Sequence, residues 1–385
     1  MENKQTKIIR NQIERSKNNE HSAPLYLTSS YVFDDPEDMR AQFCDEKEGL
    51  IYSRYANPNV NEFVQRMAVL EGSENGWATA TGMSAVFTLF GALLSAGEHI
   101  VSCRSVFGST HKLLTEILPK WNISTTYVNF DDYAGYEAAI QPSTKIVYIE
   151  SPSNPGLDII DIQRLAVICK AKNVLLVVDN CFATPLLQQP IALGADVSIH
   201  SSTKYIDGQG RTLGGVILAS NAIIDEVRTF ARHSGPALSP FNAWIQSKSL
   251  ETLDVRMERH CKNAFEIAKR LEEHPSVLKV KYPFLKSHPQ YEIAKRQMSA
   301  GGGIISFELK TGYQGGQRFL DRVKLFSLTA NLGDVKSIAT HPASTTHSKL
   351  TEEQRLEVGI SDGLIRLSIG LEHVEDLWND LKQAF

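Results

Sequence analysis

The sequence predicts an α/β protein: a mostly parallel sheet in a large domain, then a smaller α+β domain at the C-terminal end. Three observations carry this. Between Gly76 and Ser220, short apolar runs ending in turn residues alternate with amphipathic helical stretches, the pattern of a parallel sheet covered on both faces. One run, "VLLVV" before Asp179, is nearly all apolar, as a strand buried on both faces should be. After a long helical pattern from about Asn242 to His274, strand-like runs return in a shorter segment.

Taken in order, residues 1–60 are polar, turn-rich and short of periodic pattern, and read as an arm. At 385 residues the chain suits two domains, a large one over 61–250 and a small one over 251–385. In the first, "GWATAT", "HIVSC", "ISTTYVNF", "KIVYIES", "VLLVVDN", "ADVSIHS" and "GGVILAS" read as strands, with helices such as "GMSAVFTLFGALLSAG" and "DIQRLAVICKAKN" between them. In the second, "GGGIISFELK", "VKLFSLTANLG" and "GLIRLSIGLE" read as an antiparallel sheet, closed by the helix "VEDLWNDLKQAF".

Composition excludes several classes. Apolar residues make up 42% and charged residues 22%, enough for a large core in a soluble chain. A net charge of -4 suggests no nucleic acid or other polyanion partner. No apolar run approaches membrane-spanning length, and the polar N-terminal segment lacks the apolar core of a signal peptide. The five cysteines show no CxxC pair and no metal-ligand spacing, which reads as reduced thiols in a cytoplasmic protein. His341 and His347 share a loop but lack the helical spacing of zinc ligands, so no metal is expected. "GQGRTLGG" misplaces the third glycine of a dinucleotide fingerprint, and no GxxxxGK[ST] occurs.

Ligands of open α/β sheets bind outside the carboxyl ends of the strands, and four polar features lie at such ends. "ATATGMSA" puts Gly82 where a strand turns into a helix, whose free N–H groups suit a phosphate; Thr81 and Gly82 would equally form a plain helix cap. Asp179 ends the most buried strand, where a carboxylate needs a positive or hydrogen-bonding partner, or caps the next turn. Asn154 sits at the tip of the turn "SPSNPG", a simple turn when read alone. In "SIHSSTKYIDGQG", Lys204 follows a strand and sits among hydroxyls. A loop lysine is ordinarily a surface group, but a buried amine loses its charge and can form a Schiff base, with Ser201 and Thr203 placed to hold a phosphate beside it. An anion site, a buried carboxylate and an imine-forming lysine together describe pyridoxal 5'-phosphate (PLP), with its phosphate, ring nitrogen and aldehyde.

Across nearly the whole chain from Ala23, "YSRYANP", "ATGMSA", "ESPSNP", "VDNCFATP", "HSSTKYIDG", "HPASTTH" and "LIRLSIGLE" resemble, in order and spacing, the Cys/Met-metabolism family of PLP enzymes. The resemblance implies the PLP-dependent transferase fold type I, which is aspartate-aminotransferase-like. It implies that Lys204 is the Schiff-base lysine and proton shuttle and that Asp179 pairs with the pyridinium nitrogen. It assigns the phosphate to the N–H groups of Gly82 and Met83 and the hydroxyls of Ser201 and Thr203. Tyr52 and Arg54 would reach the phosphate of a neighbouring subunit's cofactor, in a dimer of dimers. Asn154 would lie near the ring hydroxyl, Arg366 would clamp the substrate α-carboxylate, and Asn331 would line the substrate side. "RSVFGSTHKL", "KYIDGQGR" and "TANLGD" are most similar to the family's acyl-homoserine sulfhydrylases. That branch implies γ-replacement, in which O-succinyl- or O-acetylhomoserine and sulfide give homocysteine in methionine biosynthesis. Cystathionine γ-synthase and cystathionine or methionine γ-lyase are the alternatives. Most other members carry a tyrosine where this chain has Phe107, whose ring can stack on the cofactor but cannot move protons.

Overall fold

The computed structural model describes residues 3–385 except 347, 349, 350 and 358, so His347 lies outside the described residues. Seven strands build the large sheet: β1 (Asn75–Thr79), β2 (His99–Cys103), β3 (Ser124–Val128), β4 (Thr144–Glu150), β5 (Leu175–Asp179), β6 (Val197–His200) and β7 (Gly215–Ala219). These are the seven runs read from the sequence. Their order is β1-β7-β6-β5-β4-β2-β3. β3, β2, β4, β5 and β6 run parallel, and β7 is antiparallel to both β6 and β1. The central strands carry Ile100, Ile146, Val147, Leu176, Val177, Val178 and Val197, all fully buried, because helices cover both faces.

The five-stranded second sheet takes β8 (Val277–Lys281), β9 (Ile304–Leu309), β10 (Ser327–Leu328), β11 (Ile338–Thr340) and β12 (Leu364–Ser368) in the order β10-β11-β12-β9-β8. It is antiparallel as expected, except that β10 and β11 pair in parallel. The long helical pattern is two helices, Pro240–Leu250 and Leu253–Glu272, separated at Glu251 and Thr252. The N-terminal segment is not wholly irregular: α1 (Lys4–Arg10) and α2 (Pro36–Phe43) interrupt it, and α3 (Pro58–Glu71) starts two residues before the expected boundary at 60. No described helix is long and apolar enough to cross a membrane.

Two consequences of this frame shape the site. In the register of β4 with β5, Glu150 stands directly beside Asp179, so two carboxyl groups share the carboxyl edge of the sheet. The segment after β4 is docked on the small domain: Lys281 Nζ pairs with Asp158 at 2.7 Å, and His288 Nε2 donates to the Leu157 carbonyl at 3.1 Å. The turn that carries Asn154 is therefore held by both domains.

Candidate active site

Lys204 lies in the turn that follows β6. The turn is fixed by backbone bonds from Asp207 N to Ser202 O and from Gly208 N to Lys204 O. Arg256 adds bonds to the carbonyls of Tyr205 and Ile206. Lys204 Nζ donates to Asn331 Oδ1 at 2.7 Å. Burial pulls its pKa below the ordinary lysine value, which favours the free amine that a Schiff base requires.

The N-terminus of α4 (Gly82–Leu93) faces the same turn. Thr81 caps it: its hydroxyl accepts from Ser84 N at 2.9 Å, and Ser84 Oγ accepts from Thr81 N at 2.9 Å. The cap leaves the N–H groups of Gly82 and Met83, which have no intrahelical acceptor. A Cβ on Gly82 would lie 2.6 Å from Ser201 Cβ, so only glycine lets the helix end approach Ser201 this closely. The cap and the anion site offered as alternative readings of "ATATGMSA" are thus compatible. Thr203 is more committed than expected, because its hydroxyl accepts from Gly214 N at 3.1 Å and donates to Gly214 O at 3.3 Å.

Asp179 is buried at the end of β5. Its Oδ2 accepts from the Tyr148 hydroxyl at 3.3 Å and its Oδ1 from Cys181 N at 3.1 Å. Burial pushes its pKa up, while the Cys181 contacts, His200 and Tyr148 pull it down. Arg366, in the middle of β12, is 5% exposed. Its Nη1 donates to Asn154 Oδ1 at 3.0 Å and its Nη2 to Asn331 O at 3.1 Å. Nε has no partner among the described residues, and burial pulls the guanidinium pKa down to about 10. Phe107, 44% exposed, opens α5 (Gly108–Lys112), and its N–H donates to Glu150 Oε2 at 2.7 Å.

Lys204, Asn331, Arg366 and Asn154 are therefore one connected group, and Asp179 and Phe107 are joined to it through the β4 edge. Tyr52 and Arg54 stand apart. The Arg54 guanidinium packs on the Tyr55 and Tyr52 rings at 4.9 and 5.4 Å and donates to the Arg232 carbonyl. Sequence reasoning missed Glu150 and Tyr148. Their signal is the register of β4, which no single-strand pattern displays.

The residues present fit PLP. Asp179 and Arg366 are buried and Lys204 is half-buried, and each is bound to a neutral amide, hydroxyl, thiol or peptide. Among the described residues, none of the three forms the direct ion pair with an opposite charge that burial demands. A phosphate, a ring nitrogen, an aldehyde and a substrate carboxylate supply what the chain leaves unanswered. Fold and site together define a PLP-dependent enzyme with the aspartate-aminotransferase-like architecture.

The comparisons narrow the class. Residues 5–385 match the model of the Cys/Met metabolism PLP-dependent enzyme family, and the chain belongs to that family. It is 48% identical to the O-succinylhomoserine sulfhydrylase of Pseudomonas aeruginosa over 96% of this chain and 92% of that one. Identity is 45% with the O-succinylhomoserine sulfhydrylase of Mycobacterium tuberculosis, over 98% and 94%. It is 41% with the L-methionine gamma-lyase of Fusobacterium nucleatum, over 94% and 92%. A solved chain from Campylobacter jejuni, described as an O-acetylhomoserine (thiol)-lyase and carrying a pyridoxyl-lysine monophosphate, superposes with a TM-score of 0.95 at 36% identity. The match covers 99% of both chains.

Proposed function

We propose that the chain is an O-acylhomoserine sulfhydrylase, joining sulfide to the γ-carbon of O-succinyl- or O-acetylhomoserine to give homocysteine for methionine biosynthesis. The similarity to two sulfhydrylases over almost the full length carries this reading. PLP, when bound through Lys204, supplies an electron sink for carbanions next to the amino-bearing carbon. Gly82 and Met83 would offer it N–H groups for the phosphate and Ser201 its hydroxyl, while Asp179 would pair with the ring nitrogen. Arg366 holds the substrate α-carboxylate through its planar fork, with Asn154 and Asn331 fixing that fork from behind. The Lys204 amine takes the α-proton and later returns it; Asn331 Oδ1 marks where the amine rests when released. The product assay that tests this gives each acyl-homoserine with sulfide, with cysteine and alone. Homocysteine formed fastest with sulfide supports it; cystathionine from cysteine, or ketobutyrate without a thiol, indicates the synthase or lyase instead.

Phe107 favours replacement over cleavage. A succinate or acetate leaving group is the anion of an acid with pKa of roughly 4, whereas a thiolate leaving group belongs to a thiol near 8.5 and gains more from a proton delivered as the bond breaks. A tyrosine at this position would offer that proton, and Phe107 has none. Phe107→Tyr is expected to raise cystathionine or methionine cleavage relative to replacement by about tenfold. An unchanged ratio would remove Phe107 from the explanation.

We further propose that Tyr52 and Arg54 serve the site of a second copy in a cytoplasmic dimer of dimers. What supports this is that their side-chain contacts within the chain are with each other, Tyr55 and Arg232, not with the residues around Lys204. Mixing Arg54→Ala with Lys204→Ala, each inactive alone, should restore roughly a quarter of native activity per site, because one hybrid site in a mixed dimer regains both groups. No recovery after verified subunit exchange would place both residues in their own chain's site.

A further inference from the structure

Glu150 is the buried ionisable group that the proposed chemistry leaves without a task. It is 4% exposed, against 8% for Asp179, and the two stand in register on adjacent parallel strands, whose spacing is about 4.8 Å. Two carboxylates held this close in a dry environment repel strongly, so such a pair keeps one proton between its members. The groups facing the pair are Tyr148 from β4, Cys181 after β5, His200 from β6, Lys204 from the following turn and Arg366 from β12. The two cations act on the pair only at a distance, Arg366 favouring ionised Glu150 and Lys204 ionised Asp179, because their hydrogen bonds go to Asn331 and Asn154.

The donors are divided unevenly in kind. Asp179 receives the Tyr148 hydroxyl and the Cys181 N–H, with the Cys181 thiol also against it. Glu150 receives peptide N–H groups: Phe107 N at 2.7 Å and the backbone of Asn154. An acid carbonyl oxygen accepts a peptide N–H as a carboxylate does. A ring nitrogen opposite Asp179 would place its positive charge on Asp179 and not on Glu150.

We propose that Glu150 is the proton-bearing member of this carboxyl pair, and that in its neutral form it positions Phe107 and Asn154 while leaving the negative charge on Asp179. One side chain then ties the ring-stacking residue on one edge of the site to the asparagine that orients Arg366 on the other. The direction of the Glu150 pKa, far above the usual carboxylate range through burial first and the Asp179 charge second, agrees with this geometry. The inference rests on the PLP reading of the site and assigns Glu150 a positioning role.

The test compares Glu150→Gln with Glu150→Leu by two measurements that need no turnover. The infrared spectrum of the holoenzyme at neutral pH should contain a carboxylic-acid carbonyl band that disappears in Glu150→Gln. The PLP dissociation constant should stay within about threefold of the unmodified protein in Glu150→Gln, which keeps the acceptor for Phe107 N–H, and should rise at least about tenfold in Glu150→Leu, which strands that buried donor. Absence of the acid band, or a glutamine variant as weak as the leucine one, overturns the proposal. Either result, where the unmodified protein binds PLP and makes homocysteine, overturns this inference alone. An unmodified protein that binds no PLP instead defeats the functional reading beneath it.

Discussion

Lys204→Ala is expected to fold and to show no measurable turnover, at least about 10⁴-fold below the unmodified enzyme, since in the proposed reading it removes both the covalent anchor of the cofactor and the group that moves the α-proton. Folding should survive because the turn around Lys204 is held by other groups. The Ser202–Asp207 and Lys204–Gly208 backbone bonds remain, and the buried Arg256 guanidinium still binds the Tyr205 and Ile206 carbonyls. The lost contact is one bond to Asn331 Oδ1. In the unmodified protein, borohydride reduction should fix PLP to the peptide containing Lys204 and to no other. Label on a different lysine, or turnover within tenfold in the alanine variant, would overturn the assignment.

Much of the large domain was legible because its physics is local. A strand covered on both faces is apolar along its length, as in β5, and the seven short runs bounded by turn residues are the seven strands, the edge strands β1 and β3 being partly exposed. The small domain was harder. In β8, Val277 and Val280 are buried while Leu278 and Lys279 are exposed, and a register shift lies between Val277 and Lys279; a bulge destroys the two-residue period that identifies a strand. β11 spans three residues, too few for any pattern. The break between the helices Pro240–Leu250 and Leu253–Glu272 carries neither glycine nor proline, so composition gave no sign of it.

The same distinction governs the site. Asp179, Lys204 and the Gly82 helix start announce themselves as polar residues at the ends of apolar runs. Glu150 ends such a run too, but its importance depends on standing beside Asp179, a fact of register between strands separated by a helix. Tyr148 likewise reaches Asp179 only across the sheet. The joint hold of Asn154 and Asn331 on Arg366 brings together residues 212 and 35 positions away in sequence, which no local pattern encodes.

Arg366→Leu should lower kcat/KM for the amino-acid substrate by roughly 10²-fold to a few thousand-fold while leaving the visible absorption of bound PLP in place. The guanidinium is buried, and its two Nη atoms are held by Asn154 Oδ1 and the Asn331 carbonyl, so the plane of the proposed carboxylate clamp is set in advance and little rotamer freedom would be lost on binding. Burial lowers its pKa to about 10, still well above neutral pH, so the group stays charged while working. Removing one partner of a buried charge pair costs about 3–5 kcal/mol, which is the source of the expected factor, since each 1.4 kcal/mol is about tenfold. Arg366→Lys discriminates charge from shape: a point ammonium cannot reach both Asn154 and Asn331 and present a fork to the carboxylate. The lysine variant should therefore still fall at least about tenfold below the unmodified enzyme. Steady-state kinetics with the acyl-homoserine varied at saturating sulfide measures the loss. An unaltered kcat/KM in Arg366→Leu would move the carboxylate clamp to another residue. A lysine variant equal to the native enzyme would reduce the fork to its charge alone.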